Sequence, residues 1–160
     1  MRGQLHITSS QLNQMESDIK AGVQEGVVAA ERAMAETFQE CVLANFGASG
    51  PYRPWSGWHP LSPAYAKKVG RTYATLEVTG RLKSSVFISL NERGNFTVSA
   101  DNSDVPYATA HQYGNPKGNR GHPGLPAREY FPMDENNEVT RQVYDLCVNA
   151  AQEALERSLA

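Results

Sequence analysis

Long hydrophobic runs are missing from this 160-residue chain. The longest, such as Val27 to Ala30, fall far short of the roughly 20 residues that a bilayer span requires. No membrane segment is expected. The N-terminal "MRGQLHITSS" likewise lacks the apolar stretch of a secretory signal. Cysteine is scarce: Cys41 and Cys147 are the only two, both inside helix-like patterns, which points to a reducing cytoplasm. Catalytic signatures are absent too. There is no H-E-x-x-H, no Cys/His pairing at metal-ligand spacing, no G-x-S-x-G and no G-x-x-x-x-G-K-[ST].

What is present suffices for one domain over residues 1–160, long enough to bury a core without disulfides or metal. Hydrophobic residues make up 40% and charged residues 20%, the balance of a soluble globular fold. The net charge of −2 hides an uneven distribution. Residues 1–50 carry three Lys/Arg against six Asp/Glu, and residues 134–160 carry two against six. Residues 51–83 reverse this with six against one, and residues 84–133 balance at four each. Two acidic ends flank a basic middle.

Apolar periodicity is strongest near the N-terminus. "QLHIT" at Gln4 to Thr8 alternates weakly, as a short edge strand would, and Thr8, Ser9 and Ser10 offer helix caps. Ile19, Val23, Val27, Ala30, Met34, Phe38, Cys41, Val42 and Phe46 then recur at spacings of three and four, one stripe of a helix that Gly47 closes. From Gln11 to Phe46 such a helix runs about 54 Å at 1.5 Å per residue. A domain this small cannot cover it throughout. Either part of the stripe faces another subunit, or Gly22 and Gly26 break the helix in two.

Residues 48–63, "ASGPYRPWSGWHPLSP", exclude regular helix and predict an extended arm. Ser62 and Pro63 open a short helix, "SPAYAKKVG", ended by Gly70, with Lys67 and Lys68 suited to its C-terminal dipole. Thr79 caps a further turn. "VFISL" at Val86 to Leu90 and "FTVSA" at Phe96 to Ala100 alternate with period two around "NERGN", a β-hairpin. Residues 101–128 form a long Gly/Pro-rich connection, a length usually tied to function. "YFPM" is expected to add a last strand. Val139, Val143, Leu146, Cys147, Ala150 and Ala154 mark a C-terminal helix begun by Asp134, Asn136 or Asn137. No repeat or low-complexity tract interrupts this order.

Each candidate site has a plainer structural explanation. His59, His111 and His122, with Asp101 and Asp104, lack metal-ligand spacing and read as surface or interface groups, so no metal or cofactor is assigned. Neither cysteine has a local histidine partner, and core packing accounts for both. "GNPKGNRGHPG" holds glycines with Lys117 and Arg120 but not in phosphate-loop order. No catalytic residue is assigned, and the chain reads as a non-enzyme.

The basic middle interleaves Trp55, Trp58, Tyr65, Lys67, Lys68, Arg71 and Arg81. Single-strand binders use such a pattern, and so do protein interfaces. With acidic helices at both ends and a pI near 6.1, subunit or partner contact is the primary reading. A nucleic-acid-binding module using residues 51–83 is the alternative. "PYATAHQYGN" at Pro106 to Asn115 reads as a corner: one helical segment stopped by Gly114 in a left-handed cap. Its aromatic rings fill a notch while His111 and Gln112 bond loop backbone.

Four stretches, in this order and spacing, carry a family resemblance. They are "WHPLSPAYAKK" at Trp58 to Lys68, "LEVTGRLKSSV" at Leu76 to Val86, "PYATAHQYGN", and "PAREYF" at Pro126 to Phe131. With the terminal helices they cover most of the chain. The sequence resembles the virion-morphogenesis family of tailed phages, which includes tail-completion, neck and minor tail proteins. The resemblance implies an α+β fold, with a long N-terminal helix and a C-terminal helix packed on a small antiparallel sheet. It implies that Tyr107, His111, Gln112 and Gly114 fix the loop corner. Pro126, Ala127 and Arg128 would lock its return into the sheet, and Thr79, Gly80 and Leu82 would set the hairpin's entry. "NPKGNRGHPGL" is longer and richer in Gly and Pro than a simple turn needs.

By that resemblance the protein is a structural subunit of the virion, at the tail or neck, assembled in the host cytoplasm. It completes the tail and joins it to the head. The implied partners are copies of itself in a ring, six to match a tail tube, together with tail-tube and head-connector proteins. DNA enters only as the molecule passing through the ring, and no membrane is involved.

Overall fold

The computed structural model describes residues 8–47, 50–53, 61–70, 76, 79–90, 96–100, 105–115, 124 and 126–160. The chain order is α1 (Ser9–Ala44), α2 (Pro63–Val69), α3 (Arg81–Ser84), β1 (Val86–Leu90), β2 (Phe96–Ala100), α4 (Ala108–Tyr113) and α5 (Arg141–Leu159). The fold is α+β and dominated by helix: α1 and α5 pack on each other and α1 lies against the hairpin.

Helix α1 is unbroken over 36 residues. Thr8 opens it with a capping box, in which Gln11 N donates to Thr8 Oγ1 at 3.3 Å and Thr8 N donates to Gln11 Oε1 at 2.9 Å. Neither glycine interrupts it. Gly22 has open space around it, whereas Gly26 lies against α5: a Cβ there would stand 2.9 Å from Leu155 Cδ1. The glycine expected to break the helix is thus a contact point between helices. The C-cap is Asn45, two residues before the expected Gly47.

Helix α2 follows the local signals. Tyr65 N donates to Ser62 Oγ, Pro63 takes the first position, and Gly70 closes the helix in the left-handed region above Lys67 and Lys68. At α3 the N-cap is Gly80, and the Thr79 hydroxyl accepts from Arg81 N at 3.4 Å. Strands β1 and β2 pair antiparallel with Val86 opposite Ala100 and Ile88 opposite Val98. That register turns these four side chains to one face, and a two-stranded hairpin needs such a face covered to persist. α1 covers it, and Gln39 Nε2 donates to Val86 O at 3.1 Å. The "NERGN" turn, most of the "QLHIT" edge strand, most of the 48–63 arm, and residues 101–104, 116–123 and 125 of the second arm lie outside the described residues.

Two expectations for the last third are corrected. "YFPM" forms no strand: the described sheet has two strands, and Met133 makes only an isolated bridge to Val139. The backbone of Tyr130 and Phe131 is bonded by side chains instead, which leaves no ladder to extend. Nor do Asp134, Asn136 or Asn137 start α5, which begins at Arg141 after Thr140. Asp134 Oδ1 accepts from Asn136 N and Glu138 N, so it closes a turn of its own before the helix.

The core lies where α1's C-terminal half meets everything else. Val42, Phe46, Leu76, Leu82, Val86, Val105, Ala108 and Tyr130 form its main cluster. Cys41, Val143 and Cys147 form a second between α1 and α5. Both thiols are free, and burial, with the facing Cys147 adding to it, pushes Cys41 up to about 11. Burial raises Cys147 as well. Thiols held protonated in this way pack as small apolar groups.

Candidate functional site

The corner at residues 107–114 is built on α4. Tyr107 caps the helix without a side-chain bond, and Gly114 ends it at φ 76°, ψ 171°. This is not the expected left-handed helical cap but the mirror-extended region, which glycine alone enters without strain, and it turns the chain sharply away. Gln112 is only 7% exposed, and its Oε1 accepts from Tyr130 N at 3.0 Å and Phe131 N at 3.1 Å. It bonds returning backbone as expected. His111 does so only through its carbonyl, which accepts from Arg128 N at 2.6 Å. Its imidazole Nδ1 is buried without a partner.

The Pro126–Ala127–Arg128 return therefore locks onto α4, not into the sheet. Nor do the corner's own tyrosines fill the notch. Tyr107 and Tyr113 are exposed, and Tyr107 stands edge-on to His111 with centroids 5.6 Å apart. The ring that fills it is Tyr130, fully buried, 4.9 Å from Phe46 and donating from its hydroxyl to Ala108 O.

Sequence reasoning passed over the residue that ties this corner to α1. Asn45 is completely buried. Its Nδ2 donates to Tyr130 O at 3.1 Å and its Oδ1 accepts from Tyr52 N at 2.9 Å. The Arg53 guanidinium spans Asn45 O and Gly47 O. One amide thus joins the end of α1, the start of the first arm and the corner's return. The available signal was a polar residue beside Phe46 at the end of an apolar stripe, where an unpaired amide would be costly.

Electrostatically the corner is dry and cationic. Burial, reinforced by the neighbouring Arg128, lowers the pKa of His111 below its ordinary 6.5. Arg128 is 8% exposed, burial lowers its pKa, and the Tyr65 hydroxyl acts in the opposite direction. Gln112 spends its acceptor on two backbone donors. Chemically this is a clamp. Among the described residues no three His, Cys, Asp or Glu side chains converge as a metal site. His59, His122, Asp101 and Asp104 lie outside them.

Of the expected interface residues, Tyr65, Lys67, Lys68 and Arg81 are exposed on α2 and α3. Trp55, Trp58 and Arg71 lie outside the described residues. Two further surfaces stand apart from those residues, the second on the α1 stripe whose length already implied contact with another subunit. An apolar groove of about 550 Å³ opens between α1, β2, α4 and α5, lined chiefly by Met34, Phe38, Val98, Phe131, Met133 and Val139. And on α1, Leu12, Met15, Ile19 and Val23 stand between 49% and 63% exposed.

The chain belongs to the phage virion morphogenesis family, whose model matches residues 9–151, from the first turn of α1 into α5. It therefore has a structural or assembly role in a phage particle and is associated with the virion. No curated protein and no solved structure matches it.

Proposed function

We propose that the protein is a ring-forming subunit at the tail end or neck of the particle, completing the tail and mediating head–tail joining. One observation carries this reading. The N-terminal half of α1 presents a row of large apolar side chains that no described element covers, and contiguous exposed apolar surface marks an interaction site. Copies of the same chain supply cover in a closed assembly, and head-to-tail contacts close into rings. Six copies match the symmetry of a tail tube. The acidic terminal helices and the exposed Lys67, Lys68 and Arg81 give neighbouring copies opposite charges to set against each other.

Light scattering tests the ring. Six chains of 17.6 kDa give about 106 kDa, and a mass that stays at one chain at every concentration refutes it. Particles made without this protein should leave full heads unattached beside tails with ragged ends. The exposed lysines of α2 also keep the nucleic-acid reading in view. That reading requires salt-dependent DNA binding that Lys67→Glu with Lys68→Glu abolishes.

A further inference from the structure

The α1 stripe and the apolar groove are two apolar surfaces of the same chain. α5 runs antiparallel to α1 and reaches Gly26 with Leu155 and Leu159. Beyond that level the seam that α5 covers continues uncovered along α1 as Leu12, Met15, Ile19 and Val23. These positions follow the i, i+3, i+7, i+11 spacing by which an amphipathic helix fills a groove. About 25 Å of helix projects in this way at 1.5 Å per residue. The charge nearest the stripe, Glu16, is already paired with Lys20 at 2.6 Å.

The groove fits such a helix. Its volume of about 550 Å³ is sized for a few apolar side chains, and none of its lining residues is ionised, so filling it strands no charge. The stripe cannot fill the groove of its own chain. Met34 and Phe38 lie on the same unbroken helix, about 25 Å further along at 1.5 Å per residue. Docked lengthwise, the projecting half sets its four exposed apolar side chains against an uncharged lining. Pairing stripe to stripe would leave the groove empty, whereas stripe into groove satisfies both surfaces and repeats from chain to chain.

We propose that the projecting half of α1 in one copy seats Leu12, Met15, Ile19 and Val23 in the groove of the next copy. The contact is heterologous, and it rests on the ring reading while specifying how the ring is held.

Complementation between two damaged chains tests it. Met15→Asp with Ile19→Asp spoils the stripe, at positions 52% and 63% exposed. Tyr113→Glu with Tyr144→Glu spoils the groove mouth, at positions 66% and 51% exposed. Each variant alone should be monomeric with unchanged helical circular dichroism. Mixed in equal amounts they should give a dimer of about 35 kDa, twice 17.6 kDa, and nothing larger, because one good stripe meets one good groove and both free ends are dead. Wild-type rings that survive either pair of substitutions overturn the docking and leave the ring standing. So do a groove variant that still self-associates and a mixture that stays monomeric. Wild-type protein that is monomeric throughout overturns ring and docking together. If a variant loses its helical signal, a benzophenone photo-crosslinker at position 19 of otherwise wild-type protein replaces it. Inter-chain products on the groove lining, at residues 34–38, 97–98, 112–113 or 131–147, uphold the docking, and products confined to residues 9–28 of α1 refute it.

Discussion

The two halves of α1 share one hydrophobic period and one unbroken backbone, yet they lead opposite lives. In the C-terminal half Val42, and just past the helix end Phe46, are wholly buried under the hairpin, Tyr130 and the corner. In the N-terminal half Ile19 stands 63% exposed. Periodicity decides that a stripe exists; what lies across from it decides whether the stripe holds the fold or holds a neighbour. Apolar side chains in the C-terminal half therefore contribute to folding, and those in the N-terminal half are the ones the proposed ring would use for assembly.

The sharpest way to break the contrast is at its buried end. Phe46→Ala removes a fully buried ring packed on Tyr130 and should cost about 3–5 kcal/mol in denaturant unfolding, the usual range for such a truncation. Next comes the clamp. Gln112→Met keeps the volume but leaves Tyr130 N and Phe131 N without their acceptor, and should cost about 1–3 kcal/mol by the same measurement.

A smaller effect follows pH. The folded pKa of His111 is depressed by burial and by Arg128, so the unfolded chain binds the extra proton first as pH falls. Stability from this group is complete above the ordinary 6.5 and declines as pH drops below it toward the lower folded pKa. Melting temperature followed from pH 7.5 to pH 5 should show that decline in the wild type, and His111→Gln should flatten it. The smallest change in fold stability comes from the exposed half. Ile19→Asp should shift unfolding of the single chain by no more than about 0.5 kcal/mol while lowering the assembled mass. A large loss of monomer stability there would erase the distinction between the two halves.

Much of this was legible in the residue order. The three- and four-residue spacing and the Thr8 cap place α1, and Ser62, Pro63 and Gly70 bracket α2, because helix ends are chosen by local hydrogen bonds and backbone freedom. The period-two alternation from Val86 likewise places the hairpin. Gln112 also declared itself as a polar side chain on a corner. Other readings failed where a distant partner outbid the local one. "YFPM" has the composition of a strand, but Gln112 and Asn45 capture its backbone from 18 and 85 residues away in the chain. Asp134 failed for a local reason instead: it looks like a helix cap but meets the donors of its own turn first.

Local chemistry by itself determined which segments are helix or strand, how they begin and end, and that α1 carries more apolar surface than a small domain can cover. Tertiary structure alone decided which part of that surface is covered. It also made Asn45 a junction and Gly26 a contact, and it opened a groove between α1, β2, α4 and α5. The reason is range: caps and periods act within a turn or two, whereas burial depends on segments that meet only once the chain has folded.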